Sequence, residues 1–206
     1  MKQLLVLTGP QGSGNHMWSK IFALDPRVSG WSALLDTYWI GHDQEPFADC
    51  WQDPSLLKQR NWRTHDYYVT SISVPYMNNG TATVPNFKLF AQQAQLVGLQ
   101  VKFAVLGRDR NIVQMQQQRV RNGITLSQAL NEFAQFAQPA FLSYELLHLY
   151  QEQYLKQLSQ QLAFPIAWAD SRVKEIIQDD TNAKYFSAVD HHSTDDLAHK
   201  TSRKWK

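Results

Sequence analysis

"QLLVLTGPQGSGNHMWSKIFAL", residues 3–24, decides the fold. Its opening, "QLLVL" (3–7), is a short apolar run that ends in Thr-Gly-Pro, as a buried parallel strand does where it meets a turn. Gly12 and Gly14 permit a tight loop. "NHMWSKIFAL" (15–24) predicts the helix that follows, with Trp18, Ile21 and Phe22 on one face and Pro26 as its stop. Strand, glycine loop and helix in this order open a doubly wound α/β domain.

The rest of the chain continues that pattern. "YYVTSISV" (67–74) predicts a second strand ending at Pro75. "MNNGTAT" (77–83) predicts a loop, and "NFKLFAQQAQLVG" (86–98) a helix with Phe87, Phe90, Ala94 and Val97 inward. "VKFAVLG" (101–107) predicts a third strand and 108–123 a helix start. Two helical stretches should follow, one marked by Leu126, Leu130, Phe133 and Ala137, the other by Leu142, Leu146, Leu149, Leu158 and Leu162. "FPIAWAD" (164–170) predicts a fourth strand, and 171–180 a helix capped by Ser171. Residues 30–64, where Trp31, Trp39, Trp51 and Trp62 fall among Gly, Asp and Pro, predict loops, short helices and an amphipathic turn at 54–62. The expected fold is α/β: a P-loop-type, mainly parallel sheet with helices on both faces, plus a long helical segment between strands three and four. It should form a single domain over 1–206, with 181–206 a polar tail.

Composition narrows the partners. A chain of 206 residues, 43% hydrophobic, can bury its own core. A net charge of +2 excludes whole-molecule binding to polyanions, so nucleic acid is not expected and any taste for anions must be local. One cysteine excludes an internal disulfide and a Cys-based zinc site, and a reducing, cytoplasmic setting is the simplest reading. The apolar run after the first residues is too short for a signal peptide core or a membrane span. His191, His192, Asp190 and Asp195 read as polar tail rather than as metal ligands.

The loop at 9–16 is built for phosphate. A nucleotide-binding loop reads G-x-x-x-x-G-K-[ST]. Gly9 and Gly14 keep that separation, while Asn15 and His16 replace the lysine and the hydroxyl residue. Phosphate binding needs neither, because backbone N–H groups and a helix N-terminus supply the attraction. The missing hydroxyl, a magnesium ligand, argues against a metal-dependent kinase. Gly12, Ser13, Gly14, Asn15 and His16 are the candidate contacts, with the side chains of Ser13, Asn15 and His16 as added donors. At the end of the third strand, "FAVLGRDRN" (103–111) places Arg108 and Arg110 where α/β sheets bind ligands. A guanidinium suits a phosphate there.

Together these segments resemble the P-loop sulfotransferases. "GSGNHMW" is similar to their Ser-Gly loop followed by an aromatic, with Ser13, Gly14 and Trp18 matching. "LGRDRNIVQ" is similar to their Arg-Asp-Pro-Arg segment, and the terminal "SRKWK" to their basic-aromatic ending. The resemblance implies binding of PAPS (3′-phosphoadenosine-5′-phosphosulfate), or of its product adenosine 3′,5′-bisphosphate. It implies sulfuryl transfer, without metal, to a small-molecule or carbohydrate hydroxyl or amine. The loop would hold the 5′-phosphosulfate. Arg108, with Gln116 in place of the family serine, and Arg203 and Lys204 from the tail would hold the 3′-phosphate. This chain departs from the family at three places: Gly12 stands where the loop carries a cation, Gln116 where it carries Ser, and Ser73 where the second strand carries a histidine base. His16 and His65 are the remaining candidates for that base. Two alternatives follow from the departures: an atypical P-loop nucleotide or small-molecule kinase, and a catalytically silent protein that binds nucleotide or a partner.

Overall fold

The computed structural model describes residues 2–37, 40–78, 80–121 and 123–178. Trp39 and the tail residues Asp190, His191, His192, Asp195, Arg203 and Lys204 lie outside the described residues, so the readings placed on them stay with the sequence.

Strand β1 (Lys2–Pro10) is buried on both faces from Leu4 onward. It pairs in parallel with β3 (Tyr67–Val74) on one side and with β6 (Leu99–Gly107) on the other. The two-residue strand β2 (Val28–Ser29) extends the β3 side, and β7 (Ala140–Ser143) extends the β6 side. The order β2-β3-β1-β6-β7 makes a parallel five-stranded sheet, the α/β architecture read from the sequence. Alternate residues of β1 serve opposite cores. Leu5 and Leu7 join Trp18, Phe22, Leu155, Phe164 and Val173 beneath α1 (Asn15–Ala23), α6 (Tyr144–Leu162) and α7 (Arg172–Gln178). Leu4 and Val6 join Trp51, Phe87, Phe90 and Phe133 beneath α2 (Ala48–Gln52), α3 (Phe87–Leu96) and α5 (Leu126–Phe133). The chain leaves β1 toward β2 and β3, then crosses to β6 and β7. Loops at the carboxyl ends of β1 and β6 therefore diverge, which opens the crevice where such sheets bind ligands.

Four expectations need correction. Residues 77–83 hold not a bare loop but the hairpin strands β4 (Tyr76–Asn78) and β5 (Thr81–Thr83), for which the Asn-Gly dipeptide at 79–80 was the available signal. Residues 164–170 form no strand. β7 fills the place beside β6, from Ala104↔Ala140 to Gly107↔Ser143, and so divides the helical segment expected between strands three and four. Phe164 and Ile166 are instead core plugs on a connection tied back by Phe164 N–H to the Ser159 carbonyl. The leucine stripe expected over 142–162 also fails: Leu142 lies in β7, and on α6 Leu158 and Leu162 are buried while Leu146 and Leu149 are exposed. Gln151 (φ 40°, ψ −114°) breaks the helix, so its two halves present different faces. At the head of α7 the acceptor is Asp170, which takes the Arg172 N–H at 2.9 Å, rather than Ser171. Smaller differences follow the same logic: Leu130 is exposed on α5, where Leu126, Ala129 and Phe133 face inward.

Candidate functional site

The loop between β1 and α1 is held from several sides. Gly12 (φ 90°) and Gly14 (φ 100°) adopt the left-handed region, and Gly14 immediately precedes the first helical residue, Asn15. Ser13 N–H donates to the Pro10 carbonyl at 3.0 Å and closes the turn. The Ser13 hydroxyl then folds back over Gly9, where a Cβ would stand 2.2 Å from it. That hydroxyl donates to Asn15 Oδ1 at 3.2 Å, and Asn15 Nδ2 donates to Ser73 Oγ at 3.1 Å. Gln11 Nε2 donates to the Pro75 carbonyl at 2.7 Å, and Gln117 Nε2 to the Gln11 carbonyl at 2.8 Å. The sequence reading made Ser13, Asn15 and His16 side-chain donors to a ligand. In the fold those of Ser13 and Asn15 brace the loop against β3, so what these residues present to an anion is the backbone at the head of α1.

His16 is turned toward the segment at 31–42. Its Nε2 lies 2.8 Å from the Ile40 carbonyl, and its ring packs on His42 (4.4 Å between centroids) and Trp31 (5.2 Å). A carbonyl only accepts, so Nε2 carries the proton and Nδ1 is the basic nitrogen. Burial holds the imidazole below its ordinary pKa; the Ile40 carbonyl pulls it partly back, and Lys20 lowers it further.

The second arm comes from the tip of β6. Arg108 Nη1 donates to the Gly12 carbonyl at 2.7 Å and to Gln116 Oε1 at 2.9 Å. The guanidinium carbon sits 4.6 Å from the centroid of the Tyr144 ring. These three partners fix the position of the guanidinium. Asp109, next in the chain, serves α4 (Arg110–Arg121): its Oδ1 accepts from the N–H groups of Asn111 and Ile112. Asp109 N–H donates to Glu145 Oε1 at 2.8 Å, and Ser143 Oγ to Glu145 Oε2 at 3.2 Å. The tips of β6 and β7 are thereby joined. Arg110 is exposed at the start of α4.

The structure thus brings Gly12, Ser13, Gly14, Asn15, His16, Arg108 and Gln116 to one sheet edge. His65 is elsewhere and is corrected as a candidate base for this site. It precedes β3, where Gln3 pairs with Tyr67, and its carbonyl accepts from Lys2 Nζ. Eight strand residues separate the two edges, roughly 25 Å at the rise of an extended chain. Tyr144 is a site residue the sequence reading missed, because it was absorbed into a helical stripe; a short strand followed by Ser-Tyr-Glu was the only local sign. Glu45 was also missed. Its carboxyl is buried beside β3, accepts from Phe47 N–H at 2.8 Å and Ser71 N–H at 3.4 Å, and is pushed by burial to a pKa of about 8. Among the described residues no three His, Cys, Asp or Glu side chains gather as a metal site, and no helix is long and apolar enough to cross a membrane.

No protein-family model matches the sequence, and no curated protein matches it. Among solved structures, the chain is similar to mouse sulfotransferase SULT7A1 complexed with PAP. The TM-score is 0.44 and the sequence identity 10%, covering 90% of this chain and 66% of that one.

Proposed function

We propose that this chain is a sulfotransferase-like enzyme that binds PAPS and passes its sulfuryl group to a hydroxyl or amine of a small-molecule or carbohydrate acceptor. The observation that carries the reading is the convergence of Arg108 and the loop: Nη1 lies 2.7 Å from the Gly12 carbonyl, at the head of α1 and the carboxyl edge of the sheet. An anion placed there meets the positive end of a helix and a guanidinium together. In the transfer, the acceptor's oxygen or nitrogen forms a bond to sulfur. The bond from sulfur to the 5′-phosphate oxygen breaks, its electron pair stays on that oxygen, and the acceptor's proton leaves to a base. The backbone of residues 12–16 holds the phosphosulfate, with the positive head of α1 facing the charge that develops on the leaving phosphate, and Arg108, with Gln116, holds the 3′-phosphate. His16 Nδ1 is the proton acceptor in this scheme, kept neutral by burial. A cytoplasmic setting and action as a single domain belong to the same reading.

A second reading has its own observation. The loop places Gly at 12 and ties Asn15 to Ser73, so a silent nucleotide-binding protein would use the same cradle without transfer. Thermal unfolding separates these two readings from a kinase. Adenosine 3′,5′-bisphosphate at one hundred times its dissociation constant should stabilise the fold by about 2.7 kcal/mol without added metal. Release of sulfate from PAPS to an acceptor distinguishes the enzyme from the silent binder. Stabilisation by ATP with magnesium, and none by the bisphosphate, would replace the proposal with the kinase.

A further inference from the structure

We infer that Arg108 is the cation of the phosphate loop itself, delivered from the β6 tip in place of a loop side chain, and that its ligand is the 5′ group held by the loop rather than a separate 3′-phosphate. The inference rests on the proposed function and changes what one residue does within it.

Three observations carry it. First, a side chain at position 12 would need Gln116 to move and a strained backbone. A Cβ built on Gly12 would lie 2.9 Å from Gln116 Oε1 and 3.0 Å from Gln116 Cδ, and φ of +90° disfavours any L side chain. Second, the group that fills this space holds Arg108: Gln116 Oε1 accepts from Nη1 at 2.9 Å. Third, the same Nη1 donates to the carbonyl of Gly12, the residue that lacks the cation. Glycine at 12, glutamine at 116 and arginine at 108 are one solution. The side chain absent from the loop makes way for a guanidinium that arrives over the Tyr144 ring, with the strand as a rigid base. A guanidinium bonded to the loop's own backbone lies beside the anion the loop cradles, because backbone approach is what the glycines permit. Gln116 and Tyr144 are positioning residues: they fix where Arg108 sits.

Binding of two nucleotides tests this without any assumption about the acceptor. Adenosine 3′,5′-bisphosphate and adenosine 5′-monophosphate share the 5′ group and differ in the 3′-phosphate. By calorimetric titration, Arg108→Ala should weaken both by the same factor, about tenfold or more for loss of a charge-assisted contact. Arg108→Lys, which keeps the charge and loses the fork, should weaken both equally and less; it also serves should the alanine variant not fold. A loss confined to the bisphosphate would overturn the inference and leave the proposed function standing. So would unchanged binding of both. Failure of the wild-type chain to bind either nucleotide would remove the function and the inference together.

Discussion

Glu45→Gln is the perturbation whose size can be worked from the structure. β2 pairs with β3 only at Val28↔Tyr67 and Ser29↔Tyr68, so beyond it the edge of β3 needs another cover. The 41–47 segment supplies it: the Glu45 carboxyl takes the Ser71 N–H and that of Phe47. Burial raises this carboxyl from 4.5 to about 8, against the lowering pull of the Phe47 N–H, the Thr70 hydroxyl, the Ser71 N–H and Arg60. Through the window between those values the folded chain holds a proton that the unfolded chain has released. Raising the pH therefore favours unfolding. The contribution is fully present below 4.5 and lost as pH rises through about 8. At about 1.4 kcal/mol per pKa unit, wild-type stability should fall by about 2 kcal/mol between about pH 6 and pH 8 from this group alone. Glutamine has no proton to lose, so the variant should lack that decline whatever its constant offset. Urea unfolding at both pH values, fitted with a common m-value, measures the difference in slope. Parallel pH profiles for the two proteins would refute the reasoning, because they would show the carboxyl to be ionised, or free to ionise, in the folded chain.

Two further outcomes test the loop and its neighbour. Gly9→Ala puts a methyl 2.2 Å from Ser13 Oγ and 2.9 Å from Leu106 Cβ, and should cost about 1–3 kcal/mol as overpacking at a rigid strand end. It is read as a lowered urea midpoint at unchanged m; an unchanged midpoint would mean that Ser13 does not fold over Gly9. His16 is held below its ordinary value, so in the folded chain it stays neutral while the unfolded chain gains a proton as pH falls through 6.5. Its contribution is present above that value and lost as pH falls through the folded pKa. His16→Gln should remove part of the acid-side loss of stability between about pH 7 and pH 5, and an equal loss in both proteins would show the ring to be solvated.

The central strands were legible because each carries its signal locally. "QLLVL" in β1, "YYVTSISV" in β3 and "VKFAVLG" in β6 are apolar or β-branched runs, buried over most of β1 and β3 and from Ala104 to Leu106 in β6, and β3 begins and ends where its sequence says. β7 was not legible: "AFLS" is four residues long and merges into the leucines of α6, while "FPIAWAD" is the better strand by composition. Only the sheet could choose between them, since a strand is defined by the neighbour that takes its hydrogen bonds. The break at Gln151 was hidden for a related reason, because nothing in the local residue pattern announces it.

For the site, the sequence by itself determined that a glycine loop precedes a helix and that arginines follow a strand. Both are local facts of spacing, and parallel pairing then obliges them to share an edge. Tertiary structure alone decided what each side chain does there. It turned Asn15 to Ser73 and His16 to Ile40, put His65 at the far edge, and set Arg108 on Gly12. The physical reason is reach. Residues 12 and 108 are brought together by the register of β1 with β6, and their hydrogen bond depends on a Cβ that Gly12 lacks and on where Gln116 stands; none of these is a property of either segment alone.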